Sequence, residues 1–370
     1  MYTNHYPPGQ HPDLPPPIST RGMVGWFRTN LFANIGDTLL TIFFVWFLYQ
    51  IIPPLFEWFF IDSVWIADSR ADCWDQMEKP EDAACWAFIK DRLGIFVYGF
   101  YPAAERWRVN VSFVLLVILM VGVLGNMMPG KMEKWLVCVC LFPFISAWLL
   151  VGGMGLIHVD TDQFGGVMLT IIIGVTGIVG SLPIGVVLAL GRRSKMPIIK
   201  SICIIFIEFF RGIPLIALLF VASTMLNYFL PPGTTFDLLL RVLIIVILFS
   251  SAYIAEVVRG GLQGIPVGQY EAASSIGLNY WNAHRLIILP QALRISIPGI
   301  VNTFIGLFKD TTLVIIIGLM DPLGIGRASL ADPDWVGLAR EVYIFVGIFF
   351  FICCFSMSRY SLNLEKKLEN

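Results

Sequence analysis

Two short texts repeat in this chain, Glu208-Phe-Phe-Arg211-Gly212 and Glu256-Val-Val-Arg259-Gly260, each beside a long apolar run. On a helix, residues three apart share a face, so each Glu can pair with its own Arg. Placed at one depth, the two texts can equally pair across helices, so that Glu208, Arg211, Glu256 and Arg259 latch the inner end of a pathway. Both readings stand on the residues alone. A further pair, Lys309-Asp310, followed by Thr311-Thr312, interrupts an apolar stretch. Charges in such a stretch are expensive and face a cavity or one another. A Lys and an Asp at that depth could receive the carboxylate and ammonium of a zwitterion, yet helical neighbours point about 100° apart. Each could instead satisfy another helix.

Other candidate chemistry is thinner. The run from Gly125 to Met132 has the glycine and lysine spacing of a phosphate-binding loop, but Met132 stands where the magnesium-binding hydroxyl is needed, and the run follows an apolar segment instead of a strand. It reads as a tight turn. His158, Asp160 and Asp162 share a short loop and read as solvated side chains, not as metal ligands. Cys73 and Cys85 share one long polar loop, and in an oxidising compartment a disulfide closing it is expected; the other five cysteines sit in apolar segments as small hydrophobes. No nucleophile triad or paired-carboxylate arrangement sits on a soluble scaffold, so neither enzymatic chemistry nor a metal is expected in this chain.

The elements that must position these residues follow from composition. Of 370 residues, 57% are hydrophobic and only 14% charged, too little charge to coat a soluble globule, and a net charge of −1 leaves no footprint for nucleic acid. A membrane-spanning helix needs roughly 20 apolar residues. Eight segments qualify, at about 35–56, 110–128, 135–157, 166–190, 210–230, 236–258, 294–319 and 338–358. Arg192, Arg193, Lys195 and Lys200 put the loop after the fourth span on the cytoplasmic side, while the loops at 158–166 and 230–237 carry only acids and fall outside. Eight spans then leave both termini inside; Arg106 and Arg108 dissent from the outer side. The apolar run 198–230 would be about 50 Å long as one helix, against a hydrocarbon core of about 30 Å. It must break, and Gly212-Ile213-Pro214 is the place, with an interfacial helix before it and a span after. The first 25 residues hold six prolines before Ile18 and no apolar run, so they read as a tail and not a signal peptide. Trp26, Phe27, Leu31 and Phe32 beside Arg28 suit a short surface helix, or a plain linker.

Between the sixth and seventh spans lies a polar but patterned loop. Pro266 can start a helix, Gly277 can end it in a left-handed cap, Asn279 can cap a second, and Pro290 marks the turn back into the membrane. Ala272, Ala273, Ser274 and Ser275 offer a small-chained surface that a partner can approach closely, and Glu271 supplies one fixed charge.

The spacing Glu271-Ala272-Ala273, three residues, Gly277, nine residues, Ile287, one residue, Leu289-Pro290 resembles the EAA loop of bacterial ABC importer permeases at every defining position. The texts FIEFFRGIPL (206–215), AYIAEVVRGGLQGIP (252–266) and FKDTTLV (308–314) are similar to the polar amino acid branch, and the added spans and long outer loop to its larger general L-amino acid type. The resemblance covers about 166–358. It implies an all-α polytopic membrane protein with a five-helix permease core at 161–370 holding a cytoplasmic coupling loop at 260–293, preceded by three extra spans at 34–160 with a periplasmic loop at 57–108, and a cytoplasmic tail at 1–33. It further implies import of L-amino acids across a bacterial inner membrane. ATP and Mg would sit on a separate ATPase dimer docked through Glu271, Ala272, Ala273, Gly277, Leu289 and Pro290, with no cofactor in this chain. A periplasmic binding protein would deliver the substrate and a sister permease complete the pathway. The alternative is an ion-coupled secondary transporter in which Lys309, Asp310, Glu208 and Glu256 form a relay.

Overall fold

The computed structural model describes residues 22–77, 83–124, 132–225, 228 and 236–369. The Pro-rich tail, the turn at 125–131 and most of the loop at 230–237 lie outside these. The chain divides into two compact units, Met1–Trp86 and Ala87–Asn370, so the break falls inside the outer loop.

In the first unit, α1 (Gly22–Asn30) carries exposed Met23, Trp26 and Phe27, as a surface helix would. α2 (Ile35–Phe56) begins at Asn34, whose Oδ1 accepts the Asp37 N–H at 2.8 Å. It is apolar on every side and buries no residue within its own unit, the pattern of a helix dissolved in lipid. Beyond it the chain is stapled: Cys73, on α3 (Arg70–Asp75), is disulfide-bonded to Cys85, with Cα atoms 6.1 Å apart. Trp58, Phe59, Trp65 and Trp86 cluster beside the staple, and the Trp86 indole N–H donates to the Phe59 carbonyl at 2.9 Å.

The second unit contains α4 (Ala87–Tyr98), α5 (Arg106–Leu124), α6 (Met132–Val151), α7 (Gly166–Arg192), α8 (Pro197–Gly212), α9 (Leu215–Phe220, extended by a π turn to Met225), α10 (Leu238–Gln263), α11 (Val267–Ser275), α12 (Tyr280–Ala283), α13 (Leu289–Asp310), α14 (Pro322–Ser329) and α15 (Ala339–Glu369). Among the described residues five helices are long and apolar enough to cross a membrane: Ile35–Ile61, Gly166–Arg192, Leu238–Gln263, Tyr280–Ile317 and Ala339–Lys366. α8 and α9 are together long and apolar enough for a sixth span but bend by 99° at Gly212-Ile213-Pro214, where the sequence places the break. α5 and α6 occupy the second and third expected segments, and α6 stops at Val151, short of the expected 157.

α7 and α10 form the spine of the core. Val246 and Leu307 press on Gly177, and Ile254 on Gly185, so glycine admits the neighbouring helices to near-backbone contact. Gly261 does the same for α13: a Cβ there would meet the Ala292 carbonyl oxygen at 2.4 Å. Arg108 explains its own dissent from the charge rule. It is buried, ion-paired with Glu105 at 2.8 Å and donates to the Ile157 carbonyl at 2.7 Å, so it fastens the start of α5 to the segment after α6 instead of standing as a free loop charge.

Pro290 does not turn the chain. The helix runs from Tyr280 to Ile317, because a π turn at His284–Ile288 precedes the proline, which then sits in the first turn of α13.

Asp321 caps α14, its Oδ1 accepting the Gly324 N–H at 2.9 Å, while the buried Oδ2 has no partner. Burial pushes its carboxyl up to about 6. The folded state therefore holds a proton that the unfolded chain, near 3.8, releases, and the stabilisation is complete below the unfolded value and lost as pH rises through about 6. At about 1.4 kcal/mol per pH unit this amounts to about 3 kcal/mol. Asp321→Asn keeps the cap without the charge, so its melting temperature should exceed that of the parent at pH 7.5 and match it at pH 4. A pH-independent difference would overturn this assignment.

Candidate functional site: a charged clasp and an exposed helix

The patterned loop folds as two capped helices. α11 starts after Pro266 and ends in a Schellman turn: Gly277 takes φ +77°, its N–H donates to the Ser274 carbonyl at 2.9 Å, and the Leu278 N–H to the Ala273 carbonyl at 3.1 Å. Asn279 caps α12, accepting the Asn282 N–H at 2.9 Å. Ala273 faces inward, whereas Glu271, Ala272, Ser274, Ser275, Gly277 and Pro290 are exposed and Leu289 is half-buried against the inner core. Open space surrounds Gly277. A rigid helix with small outward side chains and one carboxylate is thus held out from the bundle.

The four charged residues of the repeated texts do meet, but through a fifth. Arg192, the last residue of α7, places Nη1 at 2.8 Å from both Glu208 Oε1 on α8 and Glu256 Oε1 on α10. Arg259 grips Glu256 within the same helix, with Nε at 3.1 and 3.0 Å from the two carboxylate oxygens and Nη2 at 2.9 Å from Oε2. Arg211 approaches Glu256 only to 3.9 Å, and Glu208 and Arg259 form no ion pair among the described residues. The cross-pairing and the local pairing expected from the sequence are therefore both incomplete. Glu256, 16% exposed, is the hub, and Arg192 ties α7 and α8 to it. In the sequence Arg192 stands with Arg193, Lys195 and Lys200 as one of the charges that mark a cytoplasmic loop; its place as the final residue of an apolar helix is the signal for its tethering role.

Arg193, next in the chain, reaches the coupling loop. Its Nη1 lies 3.5 Å from the Tyr270 hydroxyl and its guanidinium 5.9 Å from the centre of that ring. Tyr270 immediately precedes Glu271.

Lys309 and Asp310 end α13, where the helix tightens into a 3₁₀ turn at Thr311–Ile317. Neither forms an ion pair among the described residues. The hydroxyls of Thr311 and Thr312 donate back to the Phe308 and Lys309 carbonyls at 2.8 and 2.9 Å, so they serve this transition. His158 contacts only Asp160, at 3.1 Å, and no metal-binding cluster occurs among the described residues.

Residues 181–370 match the family described as binding-protein-dependent transport system inner membrane component. The chain belongs to that family. This permease is accordingly a transport subunit, not an enzyme: a multi-pass inner-membrane protein of an ABC importer, a family that works with a separate ATPase and a binding protein. It is 47% identical to the inner membrane amino-acid ABC transporter permease protein YhdY of Escherichia coli (strain K12), over 97% of this chain and 96% of that one. It is 44% identical to the glutamate/glutamine/aspartate/asparagine transport system permease protein BztC of Rhodobacter capsulatus, covering 96% of each. A solved structure titled as an amino acid ABC transporter with histidines is 26% identical to the permease, covers 54% of it and 91% of its own chain, and has a TM-score of 0.48.

Proposed function

We propose that this permease carries L-amino acids from periplasm to cytoplasm, driven by an ATPase dimer that docks on α11 and binds ATP and Mg itself. The carrying observation is the exposed, small-chained helix bearing Glu271, closed at its C-terminal end by the Gly277 turn and met at Tyr270 by Arg193, the chain neighbour of the clasp's Arg192. Relatives named for amino-acid transport support the substrate class. In this reading α7 to α15 make the five-span core of 161–370, a sister permease supplies the other half of the pathway, and a periplasmic receptor presents the amino acid. Clasp and coupling loop face the cytoplasm with both termini. Reconstitution tests the reading: uptake into sealed vesicles should require ATP, the ATPase and a receptor, whereas uptake by this chain alone under an ion gradient would replace it with secondary transport.

The orientation puts the Cys73–Cys85 loop in the periplasm. An impermeant thiol reagent added outside intact spheroplasts should label this pair only after reduction. Labelling from outside without reductant would end the disulfide, and labelling only from the inside would overturn the orientation.

A further inference from the structure

Arg241 lies in the first turns of α10, at the end opposite the clasp, with 8% of its surface exposed. Three of its N–H groups donate to backbone carbonyls: Nε to Phe236 at 2.7 Å, Nη1 to Ser223 at 2.9 Å, and Nη2 to Phe236. These bonds hold the guanidinium still, but they do not neutralise it. No carboxylate pairs with it among the described residues, and residues 226–235 contain no Asp or Glu. Asp237, four residues before it, is committed elsewhere: Oδ1 accepts the Leu240 N–H at 2.7 Å and Oδ2 accepts the Thr161 hydroxyl. A guanidinium withdrawn from water without a paired carboxylate is costly to keep, and its planar donors fit a carboxylate better than any other common anion except phosphate.

Arg241 also lines an open cavity of about 370 Å³ between α9, α10 and the 3₁₀ turn after α13, within the range of small-molecule sites. Ser223 and Thr224 line it too. Both hydroxyls donate to the Phe220 carbonyl, at 3.0 and 2.7 Å, so their oxygen lone pairs remain as acceptors. Phe220 and Ile316 form apolar wall. A fixed cation, a pair of hydroxyl acceptors and an apolar wall match the carboxylate, ammonium and side chain of an amino acid.

We infer that this cavity is an entry site of the permease, in which Arg241 takes the substrate's α-carboxylate and Ser223 and Thr224 face its ammonium. The inference rests on the proposed transport of amino acids; it is separate from Lys309 and Asp310, which do not line the cavity.

The test is calorimetric titration of the detergent-solubilised permease–ATPase assembly, without receptor, with L-glutamine, L-glutamate and L-glutamine methyl ester. The parent should bind at least one free acid about tenfold or more tightly than the ester. Arg241→Gln should erase that preference, and Arg241→Lys should keep part of it. Should Arg241→Gln fail to assemble, Thr224→Val should weaken acid and ester alike, since both carry the ammonium, and unchanged binding of both would overturn the assignment. Equal binding of acid and ester by the parent, no binding of either acid, or equal weakening of acid and ester by Arg241→Gln would reduce Arg241 to a backbone clamp. Tighter binding of inorganic phosphate than of either acid would make this an anion site unconnected with the substrate. The transport reading fails separately, if the parent shows no ATP-dependent uptake.

Discussion

Glu271→Lys should abolish ATP-driven uptake by the reconstituted transporter while the permease still inserts and folds. Glu271 is exposed and touches no cation of its own chain among the described residues, so reversing it leaves the permease's internal contacts intact. A partner surface that had matched the carboxylate would meet a like charge instead. Removing one member of a desolvated interfacial pair costs about 2–5 kcal/mol, which is about thirtyfold or more in affinity. Gly277→Val attacks the same dock through the backbone. The space around it is open, but φ of +77° is hostile to a β-branched residue and costs on the order of 1–3 kcal/mol. Both variants should show impaired coupling between hydrolysis and uptake, with membrane levels near those of the parent. Uptake at parental rates in both would sink the docking role of α11.

The second large effect belongs to Arg192. Arg192→Ala should loosen the ends of α7, α8 and α10 together and let ATP be hydrolysed without matching uptake. A double-mutant cycle on thermal stability separates its two bonds. Glu256 is only 16% exposed, so the Arg192–Glu256 coupling should be about 1–3 kcal/mol. Glu208 is 54% exposed, so the Arg192–Glu208 coupling should stay below about 1 kcal/mol. Coupling to Glu208 as large as that to Glu256, or an Arg192→Ala variant that behaves as the parent, would remove the clasp from the mechanism.

How much of this was legible in the sequence depends on whether the cause was local. The break at Gly212-Ile213-Pro214 was readable because an apolar run longer than the bilayer cannot remain one span and proline names the point of failure. The Gly277 cap was readable because left-handed backbone selects glycine. Pro290 misled because a π turn can absorb a proline that would ordinarily mark a boundary, and nothing in the residue types announces the extra backbone turn. The clasp was half legible: both acids and two of the arginines stood out by repetition. Which partner each takes is decided by how α7 lies across α8 and α10, and that is set by glycines such as Gly185, whose role appears only when the helices are brought together. Arg241 is illegible in the sequence for the same reason, since its lack of a paired carboxylate is a property of the neighbourhood and not of the residue.

Arg192 and Arg193 are consecutive, their Cα atoms about 3.8 Å apart across one trans peptide. One holds the clasp; the other meets the ring beside Glu271. Under the proposed docking, there is hardly any slack between the two: a rocking of α11 larger than a side chain's reach must either pull on Glu256 or break from Tyr270. On that proposal the two residues would set a threshold on the motor's stroke: small movements of the ATPase would be taken up by the rotamers of Arg193, and only a larger displacement would reach Glu256. Timing, more than affinity, would then be what these two residues contribute.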